Sequence, residues 1–340
     1  MSQSEESKML DIPVFCDLEE LREKIGTNKK FFYRVLYSDD KLYKEITIPK
    51  SPKRNGGSRV LNVPSTALKG MQRWILDNIL YKVQSDPSAT GFIPMKSIVL
   101  NASTHLKKKY ILKMDIRDFF PSIDFHKVRS LFFELGYNKD VATALANICV
   151  FRGQLPQGSP TSPYLANLVC RELDKRIYNL CRKYKLSYTR YADDITISGN
   201  SKIFWIKGIV EEIIRSYQFS LNNEKTIFLK PGDRKRVTGI IVNEKLSVPR
   251  SVTRNLRKEI YFIKKFGLEE HLDKNSFAGS KEQYIAHLYG VASYIKMVEL
   301  TKGIFFMNQL NSIFSGNEQL EIGKNLHIEF ASIDWTIFDE

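Results

Sequence analysis

The sequence predicts an α+β protein, and three observations carry the prediction. Two β-rich runs, residues 110–120 and 188–198, are each interrupted by carboxylates. Amphipathic helical patterns fill the chain between them and after them. In 340 residues, 43% hydrophobic and 12% aromatic content is enough for a large core and several packed subdomains, and it excludes wholesale disorder.

Taken in order, residues 17–37 read as helical, with Leu18, Leu21, Ile25, Phe32, Val35 and Leu36 on one stripe, broken around Gly26-Thr27-Asn28. Tyr43 to Ile48 alternates as a strand, 49–57 is a turn carrying Lys50, Lys53 and Arg54, and Arg59 to Pro64 resumes as strand. Residues 66–82 place Leu68, Met71, Ile75, Ile79 and Leu80 at helical spacing, and 127–136 and 139–151 repeat the pattern. Ser162 as cap and Pro163 in the first turn start one long helix lined by Leu165, Leu168, Val169, Leu173, Ile177 and Leu180. Another amphipathic helix covers 203–217, followed by a strand at 226–229. From 250 to 311, helical apolar positions (Leu256, Ile260, Ile263, Leu288, Val291, Ile295) alternate with Arg250, Arg254, Arg257, Lys258, Lys264, Lys265 and Lys296.

The carboxylates carry the chemistry. Tyr188 and Arg190 before Asp193-Asp194, and Ile195 and Ile197 after, predict two strands joined by a tight turn whose tip presents both acids; Asp tolerates the backbone angles of such turns. Side-by-side like charges repel, and a divalent cation between them relieves the repulsion. By itself the pair is far more often the mark of a solvated turn. Asp115, ending the other β-rich run, adds a third acid, with Asp118, Phe119 and Phe120 behind it. In-line nucleotidyl transfer uses two divalent ions roughly 3.5 to 4 Å apart. Asp115 and Asp193 bridging both, with Asp194 in support, make a sufficient set.

These segments resemble the reverse transcriptases. The Asp115 run is similar to their motif A, Gln157-Gly158-Ser159-Pro160-Thr161-Ser162-Pro163 to motif B, Tyr191-Ala192-Asp193-Asp194 to motif C, and Leu221-Asn222-Asn223-Glu224-Lys225-Thr226 to motif D. The resemblance implies a right-hand polymerase with fingers, a split βαβ palm and a helical thumb. It divides the chain into N-terminal helices and fingers at 1–109, palm at 110–242 with a helical insertion at about 126–156, thumb at 243–314, and a segment of unassigned role at 315–340. It further implies catalytic Asp115, Asp193, Asp194 and Lys225, with Lys225 protonating the leaving pyrophosphate, two Mg2+ ions (Mn2+ as substitute) on the three aspartates, and dNTPs as substrates. Arg59 and Lys53 on the fingers, Phe120, Gln157 and Gly158 are its nucleotide-binding residues. Arginine suits phosphate because its planar donors grip at two points; a solvated basic hairpin accounts equally well for Lys53. Phe120 is similar to the aromatic that excludes a ribose 2′-hydroxyl. Gly158, lacking a side chain, would let nucleic acid or the nucleotide sugar approach the backbone.

Asn101-Ala102-Ser103-Thr104-His105 and Val237-Thr238-Gly239 resemble two signatures of the bacterial retron reverse transcriptases. That resemblance implies a cognate structured noncoding RNA as partner, priming from an RNA 2′-hydroxyl, a branched RNA-DNA product (msDNA), and a separate effector protein acting in antiphage defence. Asn101, His105, Val237, Thr238 and Gly239, with Arg254, Arg257 and Lys258 on the thumb, are the RNA-binding residues it suggests; a structural histidine is an equal reading for His105. An intron-encoded reverse transcriptase, an RNA-directed RNA polymerase and a non-catalytic RNA-binding scaffold are the alternatives. The length after Val242, Ala192 with Phe120, and the intact acidic triad speak against them respectively.

Composition agrees. Lys and Arg number 52 against 38 Asp and Glu, a net charge of +14 that points to a polyanion. Cys16, Cys149, Cys170 and Cys181 lack metal-ligand spacing and predict reduced thiols in a cytoplasmic protein. No signal pattern or membrane-length apolar run is expected.

Overall fold

The computed structural model describes residues 11–37, 42–49, 58–274 and 279–314. Lys50, Lys53, Arg54 and the segment 315–340 lie outside them. The chain forms two compact units, one of Met1–Ser97 with Lys108–Asp233 and one of Ile98–Lys107 with Arg234–Glu340. Residues 98–107, expected with the fingers, and 234–242, expected to close the palm, therefore belong to the second unit.

The first unit opens with helix Leu18–Ile25, started by Asp17 accepting from the Glu20 N–H and stopped by Gly26 at φ 75. Helix Lys29–Tyr37 follows. Strands β1 (Tyr43–Pro49) and β2 (Ser58–Pro64) then pair antiparallel from Tyr43↔Pro64 to Pro49↔Ser58. Helix Thr66–Asn78 buries the stripe of Leu68, Met71, Ile75 and Leu76 that its spacing predicts.

The site is carried by a four-stranded sheet of β3 (Tyr110–Asp115), β4 (Ser187–Tyr191), β5 (Asp194–Gly199) and β6 (Ile227–Leu229), in the order β4-β5-β3-β6. β5 is antiparallel to both β3 and β4, so β3 and β4 run parallel with β5 between them. Helices Phe125–Glu134, Lys139–Cys149, Ser162–Val169 and Arg171–Lys183 fill the β3–β4 connection, and Ile206–Ser216 follows β5. This is the split βαβ arrangement. Leu173, Ile177, Val210 and Ile214 from the helices join Leu112, Ile195 and Ile197 from the sheet in one buried cluster. Each such side chain contributes about 1.5–3 kcal/mol before conformational entropy is charged against it.

One local expectation is corrected. The single helix from Ser162 is two helices, interrupted at Cys170 (φ -83, ψ 3). Its N-cap is Thr161, not Ser162, and no side chain caps it, because the Thr161 hydroxyl is engaged with that of Ser159 at 2.9 Å. The extended run beginning at Tyr110 ends at Asp115 as expected, and Asp118 (φ 45) then turns the chain and buries Phe119.

In the second unit, β7 (Arg236–Val237) and β8 (Ile240–Ile241) form a small hairpin. Helices Arg250–Phe266, Leu268–Lys274, Lys281–Val298 and Leu300–Phe314 follow. Val252, Leu256, Ile260 and Ile263 bury one face of the first of these, while Arg254, Arg257, Lys258, Tyr261, Lys264 and Lys265 stay exposed. Among the described residues no helix is long and apolar enough to cross a membrane.

Candidate active site

Strand register brings the three acids together across 79 positions of sequence between Asp115 and Asp194, which are direct partners in the β3–β5 ladder. The Ile116 N–H donates to the Asp193 carbonyl at 3.0 Å, and the Asn222 N–H to the Asp115 carbonyl at 2.8 Å, fixing both backbones. Tyr191 pairs with Asp194 across the turn, and Ala192, at φ 55, takes the left-handed conformation. The strain sits on the alanine rather than on Asp193, where Asp tolerance had been expected to absorb it.

Burial, then Asp194, then Asp115 push the Asp193 carboxyl up to about 6. Lys225 Nζ lies 3.0 Å from both Asp115 carboxylate oxygens, itself largely exposed. Among the described residues no three acidic, histidine or cysteine side chains are already gathered closely enough to cage an ion. The donor set nonetheless suits a hard divalent cation, since it offers carboxylate oxygens that repel one another, and one of them already carries an ammonium group where a cation would sit.

The nucleotide-binding candidates group around the same unit. Arg59 on β2 donates its Nε–H to Gln157 Oε1 at 2.7 Å, and the Asn62 N–H donates to the Gln157 carbonyl at 2.7 Å. Gly158 has φ +134, and a Cβ there would meet the Asn62 carbonyl oxygen at 2.5 Å. What approaches this glycine is strand β2 of the protein itself, a different reason from the approach of nucleic acid or sugar expected of it. Phe120 is half-buried against Phe119, ring centroids 5.6 Å apart.

The retron-signature residues fall in the second unit and meet one another. Thr238 (φ 44) and Gly239 (φ 84) make the two-residue β7–β8 turn. Asn101 Nδ2 donates to Thr238 Oγ1 at 3.3 Å, Thr238 Oγ1 to the Ile98 carbonyl at 3.1 Å, and the Tyr294 hydroxyl to the Gly239 carbonyl at 3.1 Å. Asn101, His105 and Val237 are buried. Direct RNA contact through these three buried side chains, expected from the sequence, is not what this placement offers; Asn101 instead ties the hairpin to the Ile98–Ser103 helix. Arg254, Arg257 and Lys258 are exposed, as expected of phosphate contacts.

Sequence reasoning missed a buried network beneath the turn. Arg190 donates to Asp174 through Nε (2.8 Å) and Nη2 (2.5 Å), and through Nη1 to Asn167 Oδ1 (3.1 Å) and the Ala192 carbonyl (3.0 Å). The Tyr188 hydroxyl donates to Asp174 at 2.6 Å. Burial opposes the charge on Arg190, but Asp174 outweighs it and raises the pKa. The available signal was Asp174, an acid three residues before Ile177 on the apolar stripe of its helix.

A sheet of this topology with its acids at the end of β3 and at the β4–β5 turn defines the palm of a nucleotide polymerase. Residues 48–276 match the family described as reverse transcriptase (RNA-dependent DNA polymerase). The chain is 35% identical over 294 residues to the retron Ec86 reverse transcriptase of Escherichia coli, covering 85% of this chain and 87% of that one. It is 34% identical to the retron Mx65 and 32% identical to the retron Mx162 reverse transcriptases of Myxococcus xanthus, over 73% and 78% of this chain and 60% of each relative. A solved telomerase from Candida albicans is similar at TM-score 0.48 and 12% identity, over 88% of this chain and 67% of that one, a likeness too weak to bear on function. The chain belongs to the bacterial retron reverse transcriptases, and its reaction is RNA-directed DNA synthesis. Divalent metal dependence and an RNA partner come with that family.

Proposed function

We propose that this polymerase copies part of a cognate structured noncoding RNA into single-stranded DNA, starting from an RNA 2′-hydroxyl and leaving a branched RNA-DNA product. The observation that carries its polymerase step is the register of Asp115 against Asp194, with Asp193 in the turn, and similarity to retron reverse transcriptases supports the template and priming. Asp115, Asp193 and Asp194 would hold two Mg2+ ions. When bound, the pair supplies activation of the attacking hydroxyl and charge stabilisation on the leaving pyrophosphate.

The chain's own residues do the rest. Lys225, paired with Asp115 in the free protein, is the proton donor to pyrophosphate once that pair opens. Arg59, held by Gln157, presents its remaining guanidinium donors to triphosphate oxygens, with Lys53 assisting. Phe120, half-buried beside Phe119, would exclude a ribose 2′-hydroxyl and so favour dNTPs. Arg254, Arg257 and Lys258 hold RNA phosphates along one helix face. A separate effector protein and a role in antiphage defence complete the reading, on the strength of membership in the retron family alone.

The test is to purify the protein from its host, extract the bound nucleic acid, and treat it with a 2′,5′-debranching activity. A short DNA released from RNA by debranching is the expected result. Bound RNA with no DNA attached through a 2′ linkage overturns the priming reading.

A further inference from the structure

Both carbonyls that flank Asp193 are pinned. The Asp193 carbonyl accepts from the Ile116 N–H at 3.0 Å, and the Ala192 carbonyl accepts from Arg190 Nη1 at 3.0 Å. The first bond belongs to the sheet. The second comes from a fully buried guanidinium whose other edge is clamped on both oxygens of an equally buried Asp174. Asn167 completes the brace, accepting from Arg190 Nη1 at 3.1 Å and donating from Nδ2 to the Gly91 carbonyl at 2.8 Å.

A buried ion pair is poor evidence for stability, because well-packed apolar side chains of similar volume often do as well. Its best-attested use is to fix one arrangement among several. Here the arrangement to be fixed is a turn with Ala192 at φ 55, an uncommon angle for a residue with a Cβ that persists only when its surroundings over-determine it. Only a planar fork of donors can grip a carboxylate at two points and still reach a carbonyl on the other side; the single nitrogen of lysine cannot.

We propose that Arg190 is a positioning residue for the polymerase reaction: anchored by Asp174 and steered by Asn167, it holds the Ala192 carbonyl and thereby sets where Asp193 meets the metal ions. The inference rests on Asp193 being a metal ligand, as read above. Arg190 touches neither nucleotide nor metal, so its removal should act on rate and metal affinity and spare substrate binding.

The experiment compares Arg190→Lys, Asn167→Ala and the parent, with Tyr137→Phe as a folded control that loses a buried hydrogen bond to the Pro13 carbonyl away from the turn. Three quantities are read at a temperature where each variant is folded by circular dichroism: the single-turnover rate at saturating dNTP, the KM for dNTP, and Mn2+ affinity by electron paramagnetic resonance. Arg190→Lys should lower the rate by ~10²-fold, the scale of an ångström-sized misplacement, and weaken Mn2+ binding, with KM little changed. Asn167→Ala, which keeps the ion pair, should move the same two quantities in the same direction by a smaller factor, and Tyr137→Phe should move neither. Parent-like rate and Mn2+ affinity in Arg190→Lys overturn the proposal. If that variant does not fold, the same result in Asn167→Ala overturns it. Failure of the underlying reading looks different: Asp193→Asn would then bind Mn2+ and polymerise as well as the parent.

Discussion

At the residue scale, the meeting of the three aspartates was legible in the sequence, because one ends a strand run and the other two share the turn of a neighbouring one. Replacing Asp115 or Asp193 with Asn keeps shape and removes charge, and DNA synthesis in a primer-extension assay should fall by about 10³-fold or more. Asp193 also sets a pH dependence. Its carboxyl is raised to about 6 by burial and by its acidic neighbours, above the ordinary value near 3.8 that it returns to on unfolding. In the metal-free protein this group therefore favours the fold at low pH, and that contribution is lost as pH rises from about 4 through about 6. A divalent cation needs the deprotonated form, so Mn2+ affinity should drop as pH falls below about 6, and a titration calorimeter should record proton release there. Equal affinity at pH 5 and pH 7.5 would contradict it. Phe120→Ala should raise ribonucleotide incorporation relative to dNTP by about 10²-fold or less, measured as the ratio of kcat/KM values. Arg190 and Asn167 were not legible, because their roles exist only through tertiary contacts, and Asp174 left only the faint signal of an acid on an apolar stripe.

At the scale of elements, hydrophobic period located most strands and helices, but turn details followed tertiary contacts. The catalytic turn was expected to exploit the backbone tolerance of Asp and instead bends at Ala192. The motif B helix was expected to be continuous from Ser162, and nothing in its apolar spacing marks the break at Cys170. Asn101 and His105 looked like RNA readers because Asn and His often are, yet both are buried, and Asn101 bonds to the Thr238–Gly239 turn. Gly158 is the sharpest element-level test. With φ +134 and the Asn62 carbonyl 2.5 Å from where a Cβ would lie, Gly158→Ala should cost about 2–4 kcal/mol by strain and displacement of β2, seen as a fall in Tm even without substrate. An unchanged Tm would show that β2 can shift freely.

At the scale of the whole molecule, the net charge of +14 was read as an affinity for polyanions, and the exposed cations of helix Arg250–Phe266 give it a place. RNA affinity should fall steeply with salt, with a slope of about −0.7 per neutralised phosphate for single strands. Replacing Arg254, Arg257 and Lys258 together with Ala should flatten that slope by about 2 while Asp193→Asn leaves it unchanged. The grouping of residues 98–107 with the C-terminal unit was invisible in the sequence, since it depends on pairings such as the Lys107 N–H with the Val242 carbonyl at 3.0 Å. On the proposed mechanism the whole chain serves to bring Asp115 to Asp193 and Asp194 around shared cations. Replacing Mg2+ with Fe2+ and cutting the nearby backbone with locally generated hydroxyl radicals tests this most directly. The prediction is paired cleavage, one set of cuts close to Asp115 and another close to Asp193 and Asp194, both lost in Asp193→Asn and both suppressed by excess Mg2+. Cuts confined to one of the two segments, or unaffected by that substitution, would contradict it.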